Sequence, residues 1–383
     1  MPLSGFCVIK EKWEECDGGM RVNRRTEGRV IQMDLLRIVA CVMVIVIHVV
    51  AEGMPATTPG TFQWVVLSGF SNLCRAAVPV FFMLSGMFAR STDWKKCARK
   101  AIHYLLIYAL AAALYQLWFV VDSLYITAAD SRPFLKAFGE ALHQGLLLPK
   151  YHLWFLPEYI AILLLSPVLH AAFARVPALC GYASVLFVLG TVIPRSLRLL
   201  FGGNPALSAA LSFLPDFSLG YLGYYILGRW IGENRERMSA GVKKMVVLLG
   251  VLSLLTVYVL TDQASSAQGS MNEAYYDHFF ICILLEAAAW VMLLFGVRIG
   301  ERWHAPIRWL ADRTFGVYLT HLFVIEATAR LGLRSQRITT IIGVPLKTAL
   351  VFALCCALGY AWDTGKRVFR RRLHERTPDA GRK

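Results

Sequence analysis

Charge is what this 383-residue chain has least of: Asp, Glu, Lys and Arg make up only 17% of it, against about 25% in soluble domains. Cysteine pairing is also missing. No two of the nine cysteines have CxxC spacing, and none stands with histidines at the spacing of a zinc site. A disulfide scaffold is thereby excluded and no metal is implied; most of the cysteines fall in apolar segments, where a free thiol packs as a small hydrophobe. The first 30 residues carry charges from Lys10 to Arg29 and no apolar core, so they do not read as a signal peptide. No internal repeat, low-complexity tract or separate soluble domain is evident. What the chain does have is apolar residues, 57% of the total, with a mean hydropathy of +0.52. That excludes a soluble multidomain enzyme and a disordered chain. The net charge of +15 would suggest nucleic acid in a soluble protein, but in so apolar a chain it reads as the basic bias of cytoplasmic loops, with no nucleic-acid partner.

Apolar runs of membrane-spanning length lie near 35–51, 62–89, 101–121, 153–171, 179–194, 209–228, 245–261, 279–297, 315–331 and 339–362. They predict an all-α bundle of ten spans in the lipid bilayer. A polar N-terminal tail (1–30) and a basic C-terminal tail (363–383) flank a transmembrane domain over 31–362. In this scheme 29 of the 40 Lys and Arg fall on one side and seven on the other. The positive-inside rule then puts both termini in the cytoplasm. Removing or adding one span would reverse every later loop and erase the asymmetry.

A charged side chain inside a span costs at least roughly 2.5 kcal/mol, so it tends to face the bundle interior and mark a site. The first span holds Asp34, Arg37 and His48. Arg37 and His48 are eleven positions apart, which on a helix means about 20° around the axis and about 16 Å along it. Arg37 is expected near the cytoplasmic mouth and His48 deeper. Either Asp34 and Arg37 form an interfacial ion pair and His48 a helix contact, or the shared face holds an anionic donor at one end and a base at the other. The second span is broken by Asn72, Arg75 and Pro79 and ends at Ser85-Gly86, either a packing notch or part of a site. Four cations in the run Lys95 to Lys100 form a positive-inside stop or a phosphate-binding rim. His152 and Glu158 open the fourth span; Glu158 reads as a buried helper carboxylate or as a residue lining a water-filled cavity, and Asp216 and Glu286 are candidates of the same grade. Tyr318 and His321, three apart, are expected within mutual reach, in a structural hydrogen bond or in a site.

Four segments in order, Asp34-Leu-Leu-Arg37 with His48, Val78-Pro-Val-Phe-Phe-Met-Leu-Ser-Gly86, His152-Leu-Trp-Phe155 and Tyr318-Leu-Thr-His321, resemble the acyltransferase-3 family of integral-membrane acyltransferases. The resemblance covers roughly residues 31–362. It implies transfer of an acyl group, commonly acetyl, from cytoplasmic acyl-CoA to a hydroxyl on a carbohydrate or lipid-linked glycan, at the cytoplasmic (inner) membrane, with no bound cofactor. The family's functional Arg and His map onto Arg37 and His48. Its Arg-x-x-Arg pattern after the Ser-Gly segment is replaced here by Lys96 and Arg99, one position early, and His103 stands where proline is common. Lys96, Arg99 and Lys100, with Arg75, form the expected donor-binding set; Asp34, Ser85, His152, Glu158, Tyr318 and His321 are supporting residues. Fused hydrolase-like or racemase domains of the family do not fit in the 21 residues after Trp362, so a stand-alone membrane module is expected. His48 would act as general base on the acceptor hydroxyl or as an acylated nucleophile, with Arg37 anchoring a phosphate or polarising the thioester. The rival reading is a transporter, for which paired broken helices in repeated halves would be the signature.

Overall fold

In lipid every backbone N–H and C=O must find its partner within the chain, and a helix supplies those partners locally. The computed structural model describes residues 30–88, 91–127, 132–147, 151–212, 219–334 and 340–376, and among them there are helices and no strands. The helices are α1 (Ile31–Ala51), α2 (Phe62–Cys74), α3 (Ala77–Phe88), α4 (Trp94–Val121), α5 (Phe134–Leu147), α6 (Phe155–Arg175), α7 (Ala178–Phe187) and α8 (Ile193–Phe201). They continue with α9 (Pro205–Ser212), α10 (Gly220–Asn234), α11 (Ala240–Gln268), α12 (Ile281–Phe295), α13 (His304–Ala311), α14 (Thr314–Arg330) and α15 (Thr340–Arg376).

Among the described residues, seven stretches are long and apolar enough to cross a bilayer: Ile31–Ala56, Phe62–Phe88, Trp94–Ile126, His152–Arg175, Ala178–Phe201, Ala240–Gln268 and Thr340–Lys366. The chain is a multi-pass membrane protein. The other three expected spans fall on α10 and α12, of 15 residues each, and α14, of 17. At 1.5 Å per residue, α12 is about 22 Å long, short of the ~30 Å hydrocarbon core, so a crossing there would need flanking chain.

The burial pattern is inverted relative to a soluble bundle. On α11 the buried positions are Gly250, Ser253, Val257, Thr261 and Ser265, while Leu248, Val251, Leu252, Leu255 and Val259 face outward. On α4, Tyr104, Tyr108, Ala112 and Gln116 point inward, and Leu106, Leu110 and Leu114 outward. Lipid removes the hydrophobic drive to bury leucine, leaving small and polar residues to make the helix contacts.

The described residues divide into two units. The first draws on Met1–Val80, Ala240–His278 and Cys282–Lys383, the second on Phe81–Ser239 and Phe279–Ile281. In the first, α1 lies against α2, α13, α14 and α15, and α2 against α11. Three contacts tie the helix ends: Gln32 Nε2 donates to the Val297 carbonyl at 3.4 Å, Trp64 Nε1 to Asp262 Oδ1 at 2.9 Å, and buried Lys347 pairs with Glu52. Each joins positions that the loop count assigns to one side. In the second unit α4 packs on α5 and α6, and α10 on α6 and α7.

Several boundaries differ from the sequence reading. The Lys95 to Lys100 run is the start of α4, capped by Asp93, whose Oδ1 accepts from the Lys96 N–H at 3.1 Å. Part of the expected 122–140 loop is α5. The second span is two helices, interrupted at Arg75 and Ala76; Pro79, with no N–H, cannot bond the carbonyl four residues back.

The short α12 yields a direct test. With Glu273→Cys and Arg298→Cys at its two ends, a membrane-impermeant maleimide should label residue 273 in intact cells and residue 298 only after permeabilisation. Equal labelling of both in intact cells would show that α12 does not cross.

Candidate active site on α1 and α2

Because α1 runs unbroken from Ile31 to Ala51, Arg37 and His48 share a face, on which Arg37 is buried and His48 half-buried. Arg37 is 5% exposed and Asp34 1%, with Arg37 Nη1 3.7 Å from Asp34 Oδ1. The carboxylate offsets the charge that lipid would penalise. At the other end, the His48 ring lies 5.2 Å from the ring of His321 on α14. His321 is fully buried, and its Nδ1 is 2.8 Å from the Tyr318 carbonyl and 3.1 Å from that of Val317. A carbonyl only accepts, so Nδ1 carries the proton and Nε2 the lone pair. The tie between Tyr318 and His321 therefore runs through the tyrosine's backbone oxygen, and the two rings stand 6.4 Å apart. Sequence spacing alone could not distinguish this from a phenol contact.

Arg75 has partners different from those its grouping with the donor cations suggested. Its Nη2 donates to Ser71 Oγ at 2.8 Å and to Glu273 Oε1 at 3.0 Å, and its guanidinium carbon sits 3.9 Å from the centre of the Tyr276 ring. Arg75 is also within electrostatic reach of His48 and His278. Burial pushes the Tyr276 phenol above its ordinary value, which Arg75 partly offsets; desolvation, then Arg75, push the His278 imidazole down to about 4. Both groups are therefore uncharged at neutral pH. Glu273, Tyr276 and His278 were missed by sequence reasoning because they lie in a segment read as a loop. The dense run Glu273-Ala-Tyr-Tyr-Asp-His278 was the available signal.

Most of the remaining candidates lie in the second unit, and Glu286 in the first. Lys96 and Arg99 are exposed and Lys100 half-buried on the first turns of α4. Cations there oppose the helix dipole, so that end of α4 suits an anion, which the first free N–H groups would also favour. Ser85 donates to the Phe81 carbonyl at 2.8 Å, and a Cβ on Gly86 would overlap the Tyr225 carbonyl oxygen. Gly228 of α10 meets Met83 in the same way, so Ser85-Gly86 is half of a reciprocal notch joining α3 and α10. His152 is 6% exposed, edge-on to Tyr115 with ring centres 5.3 Å apart. Glu158 is exposed, which corrects the buried-helper reading: the first turn of α6 turns it away from the interior. Glu286 is buried, with neither carboxyl oxygen hydrogen-bonded among the described residues; Asp216 lies outside them. A further intramembrane pair went unread from sequence: His170 Nε2 lies 2.8 Å from the Tyr225 hydroxyl, both residues buried.

These segments, in this order, can be compared with known proteins. The family described as an acyltransferase domain matches residues 30–360. The chain belongs to the acyltransferase-3 family. This acyltransferase is also similar to proteins from Staphylococcus aureus strains MSSA476 and MW2, each named a probable poly-beta-1,6-N-acetyl-D-glucosamine export protein. Both are 18% identical to it over 309 residues, covering 78% of this chain and 83% of theirs. The counterpart in strain MRSA252 is 19% identical over the same length. No solved structure gives a significant match.

The α3–α10 notch of the acyltransferase is open to mutation. Gly86→Val should destabilise it by about 1–3 kcal/mol through overpacking, seen as a lower melting temperature in detergent. Gly139→Ala, where an added Cβ meets nothing within 4 Å, should leave the melting temperature unchanged or raise it slightly.

Proposed function

We propose that this acyltransferase moves an acyl group, acetyl in the first instance, from cytoplasmic acyl-CoA to a hydroxyl of an envelope carbohydrate or lipid-linked glycan, and that it works in the cytoplasmic membrane. The observation that carries the reading is the shared face of α1. It holds Arg37 near one end and His48, beside His321, near the other. A CoA whose phosphates stay with Arg37 could extend its pantetheine arm along that face, bringing the thioester toward His48. His48 takes the proton of the acceptor hydroxyl as its oxygen attacks the thioester carbon. The tetrahedral intermediate collapses with loss of the CoA thiolate, which takes the proton from the imidazolium. The products are the acyl ester and CoA-SH. Should His48 attack first, the same atoms pass through an acyl-imidazole, and the acceptor attacks in a second step. His321, held in one tautomer, would orient the His48 ring, and Tyr318 would support the acceptor side. The choice of a carbohydrate acceptor is supported by the name of the staphylococcal relatives, which refers to a polysaccharide.

That name also favours a second reading, export of a polysaccharide. The two separate in an assay of purified protein with radiolabelled acetyl-CoA. Acyl transfer or thioester hydrolysis is the expected result, whereas acceptor flux without CoA consumption would establish the exporter. His48→Ala should lower transfer by about 10²-fold or more while the protein still inserts. Arg37→Ala should raise the KM for acetyl-CoA. Full activity in a well-inserted His48→Ala variant would end the mechanism.

A further inference from the structure

The face of α2 that meets α11 is set by two ties eight residues apart: Trp64 to Asp262, and Asn72 Nδ2 to the Leu254 carbonyl at 2.8 Å. Ser68 lies between them on the same stripe, and Ser71 and Arg75 continue it at helical spacing. Beyond the end of α11, Gly269 takes the left-handed φ of +72°, and Asn272 locks the turn, donating its N–H to Ser265 Oγ at 2.9 Å and accepting from the Ala274 N–H at 3.0 Å. That turn delivers Glu273 and Tyr276 onto Arg75. The polar atoms gathered there are not all used. Asn72 Oδ1 and Arg75 Nε are buried, with no hydrogen-bond partner among the described residues, and the Tyr276 hydroxyl is left to the Ser68 and Ser71 hydroxyls, with Ser68 0% and Tyr276 5% exposed. Buried polar groups are almost always satisfied in native proteins, and an exception calls for an explanation, such as a bound water, ion or catalytic role.

We propose that Arg75, Tyr276, Ser68 and Asn72, on and around the helix that packs against the one carrying His48, form the acceptor's binding site, and that it takes the uncharged hydroxyl face of a carbohydrate. This rests on the acyltransfer reading and moves Arg75 from the donor to the acceptor. Two features select neutral hydroxyls over a phosphate. Glu273 already balances the Arg75 charge at 3.0 Å, so an anion would have to displace a carboxylate. The set is also mixed: Arg75 Nε can only donate, Asn72 Oδ1 can only accept, and the Ser68 and Tyr276 hydroxyls, which pair with hydroxyls, can each do either, which matches sugar hydroxyls that donate and accept in turn.

The test uses the full-length protein in a strain lacking the gene, with acyl esters on envelope glycans measured by mass spectrometry, and in purified form with acetyl-CoA as the binding probe. Tyr276→Phe keeps the ring under Arg75 and removes one oxygen; Ser68→Ala does the same at its position. The double variant should lose about tenfold or more of the glycan ester while its Kd for acetyl-CoA stays within twofold of wild type. Arg75→Gln should behave likewise. Tenfold weaker acetyl-CoA binding in Arg75→Gln would return Arg75 to the donor, and an unchanged ester level in the double variant would make the cluster purely structural; either overturns the proposal. Glu273→Gln decides the charge, since less ester is expected for a neutral acceptor and more ester would mark an anionic one. A wild-type protein that neither binds acetyl-CoA nor restores the ester sinks the acyltransfer reading itself, and this assignment with it.

Discussion

Lipid does not hydrogen-bond, and that deficiency organises this molecule. Once leucine and valine gain nothing by leaving the bilayer, helices meet through residues that cannot stay in it: glycine, serine, threonine and the few charged groups. The inward stripe of α11 and the tyrosines of α4 follow this rule, and so does the Gly86 and Gly228 approach, where backbone meets backbone. The same rule concentrates chemistry. Polar groups driven to the interior for want of solvent end up facing one another, and α1, with neighbours on several sides, collects most of them.

Charge neutrality is the second constraint. Of the cations within the expected spans, Arg37, Arg75 and Lys347 each have a carboxylate partner: Asp34, Glu273 and Glu52. An unpaired buried charge costs several kcal/mol, and pairing recovers part of that cost. The pairs differ in reach. Asp34 is a neighbour on the same helix turn, whereas Glu273 and Glu52 bind their cations across long stretches of sequence, tying the ends of α2 and α15 into the first unit. Between these neutralised ends stand two imidazoles, His48 and His321, and in the proposed mechanism His48 works as base or nucleophile only while uncharged.

How much of this was legible in sequence depended on whether the information was local. The α1 face was readable because eleven residues on a helix fix an angle and a distance. The interruption at Arg75 was readable because Pro79 removes one specific hydrogen bond. The notch at Ser85-Gly86 was visible as small residues, but its other half, Gly228, was not, since nothing local says which distant glycine it meets. The partners of Arg75 were hidden for the same reason: Glu273 and Tyr276 are about 200 residues away, in a segment whose polarity looked like that of any loop. Glu158 failed in the opposite sense. A carboxylate at the edge of a span looked costly enough to demand burial, yet a first-turn position can face outward near the interface, where the cost falls away.

The geometry of α1 bears on what must travel in the proposed reaction. Coenzyme A carries several phosphate charges, and taking them to the depth of His48 would strip their hydration. The phosphates should therefore stop at the Arg37 end. Only the neutral pantetheine arm needs to enter. An uncharged hydroxyl arriving from the Glu273 side meets no comparable penalty, since every group it passes is neutral or paired. The two substrates would then approach His48 from opposite ends of one helix face. The acyl group crosses the remaining distance as a neutral fragment, and no charged species has to traverse the bilayer.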